Sequence, residues 1–240
     1  YIFDNFKEEP LVENDLNVVF IDFRILSCFE FIIKNAIFRI GKKCMMTFVC
    51  GEINFFFVSR ICKKISANIK IIKLSQQVEN VDDYNKLLLD ISFWSKLKGE
   101  RILIHQFDAF IFKDNIEDFL SFDYIGALWK YPQKDCYVGN GGFSLRNKTL
   151  MMDILRLYDH KNIYEDIFFS YTITKYNLGK IGTEEDAKNF SRESLYSDSF
   201  GGHKFWECQD INLNMLNISL PEQQILKILK IQKIQKMKLF

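Results

Sequence analysis

The stretch NVVFIDFR, residues 17 to 24, does most to limit the folds open to this chain. It is a short, unbroken apolar run that ends in charge, which is how a strand buried on both faces reads when its carboxyl end reaches solvent. Helical spacing follows: Ile33, Ala36, Ile37 and Ile40 recur on one face, Ser27 and Glu30 have capping-box spacing, and Gly41 stands where a helix would stop. CMMTFVCG at 44 to 51 and ANIKIIKL at 67 to 74 read as further strands, with a helical segment over 57 to 65 between them. Val81, Tyr84, Leu87, Leu88, Ile91 and Trp94 share one helical face, with Asp82 and Asp83 in the first turn, where the helix dipole favours acids. RILIHQFDAFIF, 101 to 112, returns to strand. This alternation predicts an α/β fold: one domain with a mostly parallel central sheet, helices on both faces, and ligands bound beyond the carboxyl ends of the strands.

Composition narrows the partners. A chain of 240 residues with 48% hydrophobic content can bury the core of one domain. With 32 basic and 31 acidic residues it is nearly neutral, which argues against a surface that neutralises many nucleic-acid phosphates. Cys28, Cys44, Cys50, Cys62, Cys136 and Cys208 form no CxxC pair and no dense framework, so a reduced, cytoplasmic setting is expected. No run reaches the roughly 18 apolar residues of a membrane-spanning helix. The sequence begins at Tyr1 and not at methionine, which leaves an upstream signal or domain open. The tail differs from the rest: Pro221 can start a helix, and Ile225, Ile228, Ile231 and Ile234 alternate with Lys227, Lys230, Lys233 and Lys236. A three-residue period drifts by about 60° per step around an α-helix, so this stripe winds. We read residues 1–219 as the domain and 220–240 as an amphipathic basic helix packed on it, with membrane-surface or partner binding as the other reading.

Several positions carry chemistry. Asp22 and Arg24 leave the first strand as either a surface pair or a ligand contact. Asp108, among Phe107, Phe110, Ile111 and Phe112, needs a partner or a metal, because a carboxylate in apolar surroundings is costly unpaired. After residue 125 the aromatic residues, Pro132 and the cluster Gly139, Gly141 and Gly142 predict irregular loops around a strand near 142 to 145. The glycines fit either a turn that needs positive φ or a close approach to the backbone. Asn147 can cap a helix bearing Leu150, Met151, Ile154, Leu155 and Tyr158. Glu165 and Asp166 open a second helix as first-turn acids or as a functional pair, and Trp129 and Trp206 fit either sugar stacking or buried anchoring.

Taken in order, Asp108 at a strand end, GNGGFSLR, YED ahead of IFFS, and SFGGHKFW with His203 resemble the motifs of the GT-A glycosyltransferases. More narrowly, IDFR, EFIIKNAIF, QFDAFIF, DYIGALW, VGNGGFSLR and EDIFFS look like a small GT-A-like family of microbes and large DNA viruses, which for a viral chain would mean the host cytoplasm. The resemblance spans roughly residues 17 to 206. It implies a metal-dependent, inverting transfer of a sugar from a nucleoside diphosphate sugar, UDP-linked by preference, to a hydroxyl of a glycan, protein or small molecule. Asp108 and His203 would hold Mn²⁺ or Mg²⁺, and Asp22, Arg24, Gln106, Asp108, Gly141 and Gly142 would meet the donor. Asp166 would be the catalytic base, with Glu165 positioning the acceptor or replacing it.

The chemistry accounts for these residue types. A divalent cation neutralises the charge developing on a departing diphosphate, a carboxylate with an imidazole suits Mn²⁺, and a base must reach the acceptor hydroxyl. A guanidinium matches phosphate oxygens in a bidentate way. Gln106 departs from the pattern, since it stands where the first carboxylate of DxD belongs and weakens metal affinity, though it can accept from a ribose hydroxyl or a metal-bound water. Two other classes remain at this stage: a catalytically silent sugar-nucleotide or glycan-binding domain, and a nucleotidyltransferase. The latter wants a glycine-rich phosphate loop after the first strand, and FIDFRILS has no glycine. Oligomeric state is left open.

Overall fold

Successive side chains of β1 (Leu16–Ile21) enter two different cores: Leu16, Val18 and Phe20 pack on one face of the sheet, Val19 and Ile21 on the other. That is why the run is apolar at consecutive positions. The computed structural model describes residues 8–134, 136–160, 163–193 and 197–205. Trp206, Cys208 and the tail read as a helix over 220–240 lie outside the described residues.

After β1 come α1 (Phe29–Ile40), β2 (Met45–Cys50), α2 (Phe55–Ile65), β3 (Lys70–Lys73), α3 (Val81–Leu88), α4 (Ile91–Ser95) and β4 (Arg101–His105). The second half holds β5 (Ala109–Ile111), β6 (Tyr124–Ile125), β7 (Ala127–Gln133), β8 (Cys136–Gly139), β9 (Phe143–Asn147), α5 (Lys148–Leu157), α6 (Glu165–Tyr176), α7 (Glu184–Phe190), β10 (Ser191–Arg192) and β11 (Gly201–His203). The main sheet has the order β3-β2-β1-β4-β9-β6, parallel from β3 to β4 and antiparallel where β9 joins β4 and β6. Helices α1 and α2 cover one face with Phe29, Ile33, Ile37, Val58 and Cys62, and α3 to α6 cover the other with Leu88, Trp94, Met151, Phe169 and Ile173. The chain is therefore an α/β domain with a mostly parallel sheet between two helical layers. Among the described residues no helix is long and apolar enough to cross a membrane, and Cys28, Cys44, Cys50, Cys62 and Cys136 are free thiols.

Several expected boundaries are corrected. The Ser27–Glu30 capping box does not form: α1 opens at Phe29 after Cys28 without a side-chain cap, and Gly41 keeps right-handed angles and leads into a 3₁₀ turn. The single helix through Trp94 is two, because Asp90 caps a second start by accepting from Ser92 N at 2.8 Å. The strand over 101 to 112 breaks at residues 106 to 108 and its halves join different sheets. The loops expected after residue 125 are in part a hairpin of β7 and β8, and Pro132 is tolerated there because its stretch of β7 is exposed and the pairing with β8 is interrupted between Leu128 and Gln133. The Asn147 cap forms as expected, its Oδ1 accepting from Leu150 N at 3.0 Å.

One buried polar residue fastens the second sheet to the first layer. Asn35 of α1 donates from Nδ2 to Ile111 O at 3.0 Å and accepts at Oδ1 from Ile111 N at 2.9 Å. Replacing it by leucine releases both bonds at the end of β5. We expect Asn35→Leu to cost about 2–4 kcal/mol in urea unfolding; a loss below about 0.5 kcal/mol, the size of a surface change, would show the clamp to be dispensable.

Candidate functional site

A cleft of about 720 Å³ opens beyond the carboxyl ends of β1 and β4. The residues singled out in sequence converge on it: Asp22 and Arg24 on one side, Gln106 and Asp108 at the floor, Gly141, Gly142 and His203 beside them, and Glu165, Asp166 and Trp129 opposite.

Strand pairing explains how distant residues meet. The turn after β4 is closed by Ala109 N donating to Gln106 O at 3.1 Å, and β5 then pairs antiparallel with β11, setting His203 opposite Ala109. His203 Nε2 consequently faces Asp108 Oδ1 at 3.3 Å. Both side chains are buried, and neither atom makes a well-aligned hydrogen bond. The other ring nitrogen, Nδ1, lies 2.7 Å from Glu193 Oε1 and 3.2 Å from Asn140 Nδ2. We assign its proton to Glu193, the shorter and charge-assisted contact. Burial alone would lower the pKa of His203, but Asp108 and Glu193 raise it to about 9. Burial likewise opposes ionisation of Asp108, and the facing imidazole outweighs it, holding the carboxyl below its usual range. Adjacent ligands of an octahedral cation, each about 2.1 Å from it, lie about 3 Å apart, so these two atoms fit neighbouring positions around one ion. No three His, Cys, Asp or Glu side chains among the described residues cluster tightly enough to hold an ion unaided.

The glycine segment is explained by proximity. None of Gly139, Gly141 and Gly142 has positive φ, so the turn explanation is set aside. A Cβ on Gly142 would strike the His203 ring and come within 2.7 Å of Gln106 Oε1; one on Gly141 would come within 2.6 Å of Glu165 Oε1, and one on Gly139 would enter the Trp129 indole. Asn140, between them, accepts at Oδ1 from Gly142 N at 2.6 Å and Phe143 N at 2.7 Å, folding the segment around itself. Gly142 O accepts from Gln106 N at 2.8 Å, extending the β4–β9 ladder to the site floor.

The two acids opening α6 have different surroundings. Glu165 is 1% exposed and forms a bidentate pair with the buried Arg146, Nη1 to Oε2 at 2.5 Å and Nη2 to Oε1 at 3.1 Å. Its amide donates to Asn85 Oδ1 at 3.0 Å. Asp166 is half-buried, lines the cleft and accepts only from Ile167 N at 2.9 Å among its described hydrogen bonds. Burial, then the charge of Glu165, push the Asp166 carboxyl up to about 7.

At the opposite wall Asp22 takes the Arg24 fork, Oδ1 accepting from Nε at 2.9 Å and Oδ2 from Nη2 at 2.6 Å, while the guanidinium lies 4.4 Å over the Phe107 ring. Of the two readings of Asp22 and Arg24, a pair or a ligand contact, the structure shows the pair. Asn54 fixes this loop by donating to Asp22 O at 2.9 Å and Arg24 O at 2.8 Å. Trp129 is half-buried at the cleft. Sequence reading missed Asn54, Tyr84, Asn85, Asn140, Arg146 and Glu193 as members of this assembly. A charged residue inside the apolar strand FSLR was a legible signal for Arg146; the others have none, since their roles depend on tertiary contacts. His105, also missed, is fully buried between Phe20 and Phe143, and burial pushes it down to about 4, so it stays neutral.

Comparisons with known proteins place the chain without naming its chemistry. The model of a family described as "Protein of unknown function (DUF5672)" matches residues 68–205, more than half the chain, and the chain belongs to that family. No curated protein matches it. Among solved structures it is similar to a mannosyltransferase from Pyrobaculum calidifontis in complex with GDP-Man and Mn²⁺, at 10% identity and a TM-score of 0.49, covering 76% of this chain and 58% of that one. It is also similar to a 4-diphosphocytidyl-2C-methyl-D-erythritol synthase from Anaerococcus prevotii, at 11% identity and a TM-score of 0.46, covering 70% of this chain and 86% of that one. The chain thus spans less than two thirds of the mannosyltransferase.

The raised Asp166 carboxyl has a consequence for stability. A folded state that holds this proton more tightly than the unfolded chain gains stability that is complete below the unfolded pKa of about 3.9 and is lost as pH rises through about 7. Asp166→Asn removes that dependence. In thermal unfolding from pH 5 to pH 8, the variant should gain on the wild type by about 1–2 kcal/mol, a figure reduced for the partial exposure of the group. A difference that stays constant with pH would mean that Asp166 titrates normally.

Proposed function

We propose that this protein is a metal-dependent glycosyltransferase that moves a sugar from a nucleoside diphosphate sugar to an acceptor hydroxyl. The observation that carries the reading is the Asp108–His203 pair, two buried atoms of ligating type set 3.3 Å apart, in one cleft with a carboxylate poised near neutrality. The motif order described above supports it. Transfer through Asp108, the glycine segment, Asp166 and His203 needs these four in one place, and they line one cleft.

Asp108 Oδ1 and His203 Nε2 would hold Mn²⁺ or Mg²⁺, which, when bound, offsets the charge of the departing diphosphate. Diphosphate oxygens and water would fill its remaining positions. Gln106 would offer hydrogen bonds in place of a second carboxylate. Gly141 and Gly142 let Glu165, His203 and Gln106 close on the backbone beside which the donor sugar would lie. Asp166 takes the proton of the acceptor hydroxyl; a carboxylate raised to about 7 is close to the pH at which a base is both free and strong enough to act. Glu165 holds the first turn of α6 through Arg146 and does not face the acceptor as a second base. Asp22 and Arg24 act as one neutralised unit, with Asp22 nearest the donor's ribose or base and Arg24 approaching the diphosphate. Inversion is the outcome that the motif resemblance implies, with Asp166 as its one base. UDP-sugars are the first donors to test, and the acceptor is a glycan, a protein or a small molecule. The alternative, a binding domain on the same fold, has the same donor contacts and no turnover.

A panel of UDP- and GDP-sugars with Mn²⁺ separates the two. We expect slow release of nucleoside diphosphate without acceptor, abolished by chelation and by Asp108→Ala; an active Asp108→Ala variant would remove the metal assignment. Asp166→Asn should keep Mn²⁺–nucleotide affinity and lose transfer by about 10²-fold or more. Wild-type transfer by that variant would take the base role from Asp166. The acid limb of kcat/KM should fall tenfold per pH unit below about 7.

A further inference from the structure

Arg146 is 0% exposed and does not line the cleft, yet it bonds two segments that do, the glycine segment and the first turn of α6. Its Nη2 donates to Asn140 O at 3.1 Å, inside the glycine segment, and to Glu165 Oε1 at 3.1 Å, while Nη1 donates to Glu165 Oε2 at 2.5 Å. Nε donates to Ser144 Oγ at 2.9 Å, and the guanidinium lies 5.2 Å from the Tyr124 ring centre, 5.6 Å from Phe169 and 5.9 Å from Trp94. A second tie crosses the same gap from α3, with Tyr84 Oη donating to Gly141 O at 2.7 Å and Asn85 accepting from Glu165 N.

Stability alone does not explain such a pair. A buried ion pair recovers little more than the desolvation it costs, and apolar residues of equal volume often do as well. What they cannot supply is a planar fork that fixes a carbonyl and a carboxylate at once. We propose that Arg146 is the positioning residue of this site, holding the glycine segment and the first turn of α6 at a set separation, and with them Asp166 opposite Asp108 and His203. The proposal rests on the reading of Asp166 as the base.

The groups facing Asp166 are Glu165 on its own helix, Arg146 from β9, Glu193 after β10 and Tyr124 of β6. Glu165 and Glu193 favour its protonated form, and Arg146 favours the ionised one. A brace that only stabilised the core would affect melting and leave the turnover of a charge-conserving Arg146→Lys variant unchanged.

The test uses the full chain labelled with ¹³Cγ-aspartate, with Asp166→Asn identifying the resonance. In Glu165→Gln the titration midpoint should fall by about one unit or more, and in Arg146→Gln it should rise. Arg146→Lys keeps a charge but loses the fork; it should bind Mn²⁺–UDP and Mn²⁺–GDP within about twofold of wild type while kcat falls at least about tenfold, the cost of a misplaced base. Should Arg146→Gln fail to fold, Glu165→Gln and Arg146→Lys decide alone. Unmoved midpoints, or wild-type turnover by Arg146→Lys, would overturn the proposal. If Asp166→Asn itself transfers normally, the base reading falls, and the midpoints still decide whether Arg146 and Glu165 set the state of Asp166.

Discussion

Everything around the cleft depends on the chain leaving the main sheet at His105 and re-entering a different one at Ala109. Had the apolar run continued as one strand, Gln106 and Asp108, two residues apart, would both project into the same helical layer, where an unpaired carboxylate is not tolerated. The turn places them at the strand end, and the small second sheet returns β11 beside them. The parallel strands thereby act as a scaffold, with Asp22, Arg24, Gln106 and Asp108 at its edge, and the second half of the chain brings His203, Glu165 and Asp166 to them. Asn35 makes the joint rigid, because it binds both backbone groups of Ile111 on the strand that follows the turn.

The charges in the cleft are arranged in compensated sets. Asp22 is met by Arg24, Glu165 by Arg146, and His203 by both Asp108 and Glu193. In a low-dielectric pocket each such group alone would cost several kcal/mol, so pairing is a condition of folding before it is a device for function. Asp166 differs, since its described hydrogen bonds include no cation and its near neighbour Glu165 is of the same sign. A carboxylate left in that condition holds its proton longer, which is the property a base working at neutral pH requires.

How much of this was legible follows from the range of each interaction. The α/β class and the two-faced sheet could be read because they rest on local periodicity: Val18 to Ile21 are apolar in succession for a reason visible in eight residues. Helix starts were read less well. Ser27 and Glu30 had the spacing of a cap but not the geometry, and the Asp90 cap inside an otherwise continuous apolar face was passed over. In the site, the segments were found by their order, while the partners that give them properties were not. Asn140 and Arg146 carry no role in the sequence reading, although together they join Gly142, Glu165 and the approach to His203. The links to Glu165 and His203 run between residues 19 and 63 positions apart, and no spacing encodes them.

The ordinary backbone angles of the glycine segment have one more implication. Gly99, at φ +80°, needs glycine because of its own conformation, and no change elsewhere can relieve an alanine placed there. Gly141 and Gly142 are needed only because named side chains already occupy the space a methyl would take. Their constraint is therefore transferable. A relative with a shorter residue at position 165 could carry alanine at 141 with the backbone unchanged, whereas alanine at 142 needs both residue 106 and the His203 ring to give way, so the pattern of glycines in this segment is coupled to the size of its neighbours.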